Sequence, residues 1–167
     1  MITIRYDVLI QDNIKKNLKN FQKFIQNTLS DKRSWKFNFL YDKKNPNFLI
    51  ILSKARTINN ICGFSNLSCA DRSNNIIYIN YSRWLNGAKK SGLSLIDYRK
   101  YLINNEVGHI LGLNHYKRKK NKKVPIMYQS TLGIYDSLPN CYPLPWEHKN
   151  ISIRYIMERL INSTYSI

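Results

Sequence analysis

Acidic residues and long apolar runs are scarce in this 167-residue sequence. The chain has 10 Asp and Glu residues against 27 Lys and Arg residues, so its formal net charge at pH 7 is +17. A surface this basic attracts nucleic acid, anionic membranes or acidic proteins. No apolar stretch approaches the length of a bilayer-spanning helix, so the sequence predicts no transmembrane segment.

Length and the first residues limit the organisation of the chain. A sequence of 167 residues is long enough for one domain with its own core but short for two, so we expect a single domain over residues 1–167. Residues 1–7 lack the basic start, apolar run and cleavage site of a signal peptide. The expected location is therefore intracellular or inside a particle, with secretion not excluded.

Cysteine and histidine are also rare, with three residues of each type. Cys62 and Cys69 are near enough in the sequence to close a small loop, and Cys141 would then be left over. In a reducing compartment all three would be thiols. The sequence therefore leaves the disulfide undecided.

The clearest chemical pattern is N-E-V-G-H-I-L-G-L-N-H, which begins at Asn105 and ends at His115. It matches the zinc-peptidase pattern H-E-x-x-H-x-x-G-x-x-H at every defined position except the first. Residues four apart share a helix face, so position 105 and His109 can face one ion, with Glu106 beside them as general base for a metal-activated water. Gly112 tolerates the positive φ that ends a helix, which lets His115 return as a further ligand.

Other segments extend this likeness over most of the chain. They are T-L-S-D-K-R-S-W at residues 28–35, R-W-L-N-G-A at 83–88, Y-R-K-Y at 98–101, P-I-M-Y-Q-S-T at 125–131 and C-Y-P-L-P-W at 141–146. With these motifs the chain resembles the metzincin-type zinc metallopeptidases. It is most similar to a little-characterised family of predicted metallopeptidases found mainly in actinobacteria.

The resemblance implies an α+β metzincin-like domain, in which a small twisted mixed sheet packs on a long motif helix. It also implies a methionine turn around Met127 and a C-terminal helix. The implied cofactor is zinc, and the implied reaction is hydrolysis of peptide bonds in a peptide or protein substrate, acidic substrates included. Glu106 would be the general base, and His109 and His115 would be metal ligands. The family also has a cysteine pair that matches Cys62 and Cys69.

Asn105 is the departure that bears most on activity. An imidazole nitrogen is a good zinc donor, whereas an amide oxygen is weak and neutral. Asn105 would then be a weak ligand, or His148 at the start of the predicted last helix would replace it. His148 could equally be a solvated helix-start residue. In the remaining alternative the protein is a catalytically inactive homologue that acts as a basic binding or structural protein. Nucleic acid is one partner that such a protein could bind.

The densest basic run extends from Lys117 to Lys123 and directly follows His115. We expect a solvated loop at the rim of the cleft that steers acidic substrates or grips phosphates. Equally, the lysines could reflect AT-rich coding. Because no aromatic residues alternate with the lysines within the run, nucleic-acid recognition is the weaker interpretation.

Apolar periodicity predicts the order strand, helix, three strands, helix, irregular loops, helix. Asn13 is the predicted cap of the first helix and Ser94 that of the motif helix. The predicted strands cover residues 2–10, 35–39, 48–52 and 76–81, and the predicted helices cover 13–29, 95–111 and about 146–161.

Overall fold

The computed structural model describes residues 1–117, 119, 122–133 and 137–162 of the chain. Within these residues, five strands form one sheet in the order β2-β1-β3-β5-β4. The first four strands in this order run parallel, and β4 pairs antiparallel with β5 at one edge. The strands are β1 (Thr3–Ile10), β2 (Asn38–Tyr41), β3 (Phe48–Ser53), β4 (Cys69–Asp71) and β5 (Ile76–Asn80).

The centre of the sheet is a row of aliphatic side chains on neighbouring parallel strands. Val8 pairs with Ile50, and Ile50 pairs with Ile77, so these three buried side chains lie side by side. In β3 the fully buried residues alternate, because successive side chains of a strand point to opposite faces. This row forms the part of the core on which the long helices pack.

Two long helices cover the sheet. Helix α1 (Leu18–Ser30) buries Phe21, Ile25 and Leu29 at helical spacing, and the motif helix α4 (Leu95–Ile110) contacts α1, β4 and β5. Shorter helical segments are α2 (Ala55–Cys62), α3 (Tyr81–Asn86), α5 (Pro145–Lys149), α6 (Ile153–Tyr155), the π-helical turn Ile156–Ile161 and the 3-10 turns Lys89–Ser91 and Ser130–Leu132. The predicted α+β architecture with a mixed sheet is confirmed. None of the helices in the described ranges is long and apolar enough to cross a membrane.

Two predicted boundaries near the N-terminus are wrong. Asn13 has φ +69° and lies in a turn, whereas Asn17 caps α1 by accepting a hydrogen bond from the Asn20 N–H at 2.9 Å. The second strand begins at Asn38, because the Trp35 indole is drawn into the core and donates to the Asn104 carbonyl at 3.0 Å. The alternation of apolar residues from Trp35 to Phe39 therefore predicted a strand that starts three residues before β2 does.

The predicted last helix is interrupted. α5 ends at Lys149, and Ser152 caps a new segment by accepting from the Tyr155 N–H at 3.2 Å. Of the predicted apolar face, Ile156 and Leu160 are buried but Ile153 and Met157 are exposed. The short elements α2, α3 and β4 were not predicted, because three to eight residues are too few for a clear period.

The structure decides between the two states of the cysteines. A disulfide joins Cys62, the last residue of α2, to Cys69, the first residue of β4. Cys141 is a free thiol, and burial raises its pKa to about 11. The disulfide fixes the end of α2 against the edge strand β4.

Candidate active site

The motif lies on the last turns of α4, which begins where Ser94 accepts a hydrogen bond from the Asp97 N–H. These turns are buried because the methionine turn packs directly on them. A Cβ on Gly108 would overlap the Met127 thioether and would lie 2.8 Å from the Trp35 ring. Only glycine lets the helix and the methionine turn approach this closely.

His109 and His115 are brought together by the turn that follows α4. Gly112 has φ +100° in this turn, and the Tyr155 ring lies against it. The two Nε2 atoms are 3.1 Å apart, and the imidazole rings are nearly perpendicular. Two zinc-bound nitrogens, each about 2.0–2.1 Å from the ion in tetrahedral geometry, would be about 3.3 Å apart. The separation of the pair is therefore close to that of two ligands of one cation.

The tautomer of His109 follows from its backbone contact. Its Nδ1 lies 2.8 Å from the Leu113 carbonyl, which can only accept, so Nδ1 carries the proton and Nε2 of the neutral ring has a free lone pair. Burial, with smaller effects of His115 and Arg72, lowers the pKa of His109 to about 4. Burial and Arg72 also lower the pKa of His115. Both imidazoles are therefore neutral at pH 7, as metal ligands must be.

Arg72, which follows β4, holds the turn between the two histidines. Its guanidinium donates to the Leu113 carbonyl and, at 2.9 Å, to the Asn114 side-chain oxygen. The same nitrogen lies 3.4 Å from His109 Nδ1. Arg72 thus fixes the backbone that orients His109, while its positive charge opposes a second cation nearby.

Glu106 is a buried carboxyl group that borders the same cavity as the histidine pair. It is 4 % exposed, and no described residue forms a hydrogen bond or ion pair with its carboxylate. Burial raises its pKa to about 8. An unpaired carboxyl is costly to bury, and this one lines the same cavity as His109 and His115.

Asn105 is directed at the methionine turn. Its Nδ2 donates to the Ile126 carbonyl at 2.8 Å, and the residue is 2 % exposed. The amide therefore serves as a brace between α4 and the turn. Within the described ranges, no group of three His, Cys, Asp or Glu residues could hold a metal ion, which reflects the missing histidine at position 105.

Two further side chains hold the backbone of the methionine turn. The Glu147 carboxylate accepts from the N–H groups of Ile126 at 2.8 Å and Met127 at 3.1 Å, and from that of Leu144 at 3.0 Å. The buried Tyr101 hydroxyl donates to the Tyr128 carbonyl at 2.9 Å. Met127 itself is completely buried beneath the motif helix.

His148 is not brought to the histidine pair. Its ring packs edge-on against Trp35, 5.5 Å between centroids, and lines a separate cavity with Lys32, Lys36 and Pro143. Burial, with a smaller effect of Lys36, lowers its pKa. The structure thus gives His148 a packing position away from the candidate metal ligands.

The cleft around Glu106 and the histidine pair has a volume of about 530 Å³. One wall is β4 with the disulfide, and the opposite wall is α4 with the turn after it. The other lining residues are mostly apolar and come from the segment between α2 and β4, with Gln129 beyond the methionine turn. All three residues of β4, the edge strand of the described sheet, line the cleft.

The basic run after His115 lies only partly within the described residues, since Arg118, Lys120 and Asn121 fall outside them. Lys117 and Lys123 are exposed. Tyr116 anchors the start of the run, since its N–H donates to the Met127 carbonyl at 2.9 Å.

Comparison with protein families identifies the family of this chain. Residues 2–144 match the model of a family described as "Protein of unknown function (DUF3152)". The chain belongs to this family. The match includes β1 to β5, the motif helix and the methionine turn, so it covers every residue that lines the cleft, whereas Glu147 lies outside the match. No curated protein and no solved structure matches this DUF3152 chain.

Sequence reasoning did not identify Arg72 or Glu147 as part of the site. Glu147 had a readable signal, since Pro145 at the first position of a helix and an acidic residue two places later are typical of a helix start. Arg72 had none, because its contacts join residues about 40 positions apart. Only the tertiary fold brings Arg72 to the turn between His109 and His115.

Proposed function

We propose that this protein is a metzincin-like hydrolase of peptide bonds that uses zinc bound at the histidine pair. The observation that carries the proposal is the convergence of Glu106, His109 and His115 on one cleft, with the two Nε2 atoms 3.1 Å apart. The unpaired, buried Glu106 and the neutral imidazoles fit a borderline cation such as zinc. The same motif, together with Met127, underlies the resemblance to metzincins.

His109 and His115 would hold the ion, and the Leu113 carbonyl would keep His109 in the tautomer with a bare Nε2. When bound, zinc would polarise the scissile carbonyl and acidify a water molecule. Glu106 would accept the proton of the attacking water and pass it to the leaving amine. A cation nearby favours the ionised carboxylate, so it would lower the raised pKa of Glu106 towards the range of a base at pH 7.

The edge strand supports a peptide as the substrate class. In the sheet formed by the described residues, β4 has β5 on one side only, so its other edge can pair with an extended chain by backbone hydrogen bonds. Such a peptide would lie along the cleft with its carbonyl groups near Glu106. The net charge of +17 favours acidic peptides over basic ones.

A second candidate, a catalytically inactive homologue, is favoured by one specific observation. The Asn105 amide is committed to the Ile126 carbonyl, and the Arg72 guanidinium lies 3.4 Å from His109. Two ligands beside a fixed positive charge bind zinc less tightly than three histidines. The cleft would then bind peptides without cutting them.

Elemental analysis of the purified protein and hydrolysis of a peptide library distinguish these candidates. We expect zinc to bind, and chelation to lower both the melting temperature and the rate of cleavage. Asn105→His should strengthen zinc binding by about tenfold or more, since a third imidazole replaces an amide.

Glu106→Gln is the matched control, because it keeps the size of the side chain and removes the base. It should retain the metal and lose cleavage by a factor of about 10² or more. If wild-type protein and Asn105→His both bind zinc but cleave no peptide, the inactive homologue is correct. Absence of zinc binding in both proteins would refute the metal site itself.

A further inference from the structure

A second cavity, of about 640 Å³, shares no lining residue with the cleft of the candidate active site. We call it the lysine–tryptophan cavity. Its apolar lining includes Pro125, Leu144 and Pro145. The aromatic and positively charged side chains that line it are Tyr116, Trp146, Lys117, Lys119, Lys122 and Lys123.

The tertiary fold adds an aromatic platform to the lysines. Trp146 is 46 % exposed although it is a large apolar side chain, and its ring centroid lies 5.2 Å from that of Tyr116. The Tyr116 hydroxyl accepts a hydrogen bond from Asn150 at 3.1 Å. The platform is therefore anchored at its base and open on its outer face.

The positive charge of the cavity is not compensated locally. Among the described residues, no acidic side chain lines it, and none forms an ion pair with any of its four lysines. Glu147 adjoins Trp146 in the sequence, but its carboxylate points inward and accepts from three backbone N–H groups. The cavity therefore combines four ammonium groups with an exposed aromatic ring.

We propose that the lysine–tryptophan cavity binds single-stranded nucleic acid, with a base stacked on Trp146 and the neighbouring phosphates bound by the lysines. Base–aromatic stacking beside a cationic groove is how sequence-tolerant single-strand binders work. An acidic peptide would satisfy the lysines but would leave the indole without a flat partner. The proposal is independent of zinc and of Glu106, since neither belongs to this cavity.

Intrinsic fluorescence offers a selective test with the full-length protein. Trp35 and Trp84 are 2 % and 5 % exposed, so Trp146 is the tryptophan that a ligand can reach. A dT oligonucleotide of about 16 nucleotides should quench its emission, and the affinity should fall steeply as salt is raised. Poly-glutamate, a polyanion without bases, should bind more weakly and cause little quenching.

Variants separate stacking from general charge attraction, with binding followed by the anisotropy of labelled dT oligonucleotide. Trp146→Leu should weaken binding by roughly tenfold, and Lys122→Gln/Lys123→Gln by a comparable factor. The matched control is Lys43→Gln/Lys44→Gln, which removes the same charge from exposed positions elsewhere and should have a much smaller effect. Unchanged melting temperatures should show that each variant is folded.

Two results would overturn the proposal. One is equal loss of affinity in the two lysine double variants, which would mean attraction by net charge alone. The other is equal binding of poly-glutamate and oligonucleotide with no effect of Trp146→Leu, which would make the cavity a site for acidic proteins.

Discussion

Glu106 shows at the scale of a single residue how the cleft departs from ordinary packing. A carboxyl that is buried and lacks a described partner keeps its proton at neutral pH, because burial raises its pKa to about 8. In the unfolded chain the same group ionises near its ordinary value of 4.5. The folded state therefore binds one proton more than the unfolded state between these two values.

This difference predicts a pH dependence of stability in the metal-free protein. The contribution is complete below the unfolded pKa and is lost as pH rises towards the folded pKa near 8. We expect the free energy of unfolding, measured by urea titration with a chelator present, to fall by more than about 1 kcal/mol from pH 5 to pH 9. Glu106→Gln should remove most of this slope. An equal slope in the variant would show that other groups cause it.

The sequence predicted that His109 and His115 meet, because Gly112 between them allows the positive φ of the turn that follows the helix. The hydrogen-bond and packing partners of Asn105 and His148 could not be predicted from the sequence. That Asn105 braces the Ile126 carbonyl, or that His148 packs on Trp35, depends on elements distant in the sequence. The consequence of the asparagine substitution therefore follows from the fold and not from the motif.

At the scale of elements, the motif helix and the methionine turn are locked together by shape. Gly108 is the point of closest approach, where the Met127 thioether and the Trp35 ring occupy the space of a Cβ. Met127 and Trp35 are both far from Gly108 in the sequence, so the spacing of apolar residues along the chain could not predict these contacts. The lock positions His109, one residue further along the helix.

Gly108→Ala should therefore destabilise the fold, although alanine favours helix by up to about 1 kcal/mol. We expect a net loss of roughly 1–3 kcal/mol in urea unfolding, because the added methyl overpacks the junction. In a Met127→Ala background the same substitution should cost less, by about 1 kcal/mol, since one of the overlapping groups is gone. Strict additivity of the two substitutions would contradict the lock.

Glu147 is a second connection between elements, because it joins the methionine turn to the start of α5. Its substitution should also lower the stability of the protein. Its carboxylate accepts from the backbone N–H groups of Ile126 and Met127 in the methionine turn and of Leu144, which directly precedes α5. Glu147→Gln places an amide N–H against these donors and should destabilise the protein by roughly 1.5–3 kcal/mol, measured by urea unfolding. Glu158→Gln, on an exposed pair with Arg154, is the control and should change stability by less than about 0.5 kcal/mol. Similar losses in both variants would contradict the bracing role.

At the scale of the whole molecule, charge is the dominant feature. Three ion pairs of the described residues, Arg5–Asp42, Arg33–Asp31 and Arg154–Glu158, are at least partly exposed. With 27 basic residues against 10 acidic ones, repulsion outweighs attraction among the charged side chains. Such self-repulsion destabilises a compact state and is screened by salt. It also supplies the long-range attraction on which both proposals for ligands depend.

Raising NaCl from about 0.01 to 1 M should therefore raise the melting temperature by about 2–4 °C, equivalent to roughly 1 kcal/mol. Lys43→Glu/Lys44→Glu, which lowers the net charge by four, should raise the melting temperature at low salt and reduce its salt dependence. A melting temperature that falls with salt would indicate that specific ion pairs outweigh the repulsion.

The sequence by itself determined the α+β class, the positions of three of the five strands in the described sheet, the course of the motif helix and the histidine spacing. It could do so because these features depend on local periods and on geometry within about ten residues. Only the tertiary structure decided the disulfide, the placement of Arg72 and Glu147, the separation of His148 from the histidine pair and the meeting of Trp146 with the lysine run. Each of these contacts joins residues whose distance in space is set by how the sheet, α4 and the C-terminal turns pack together, and no local pattern records that packing.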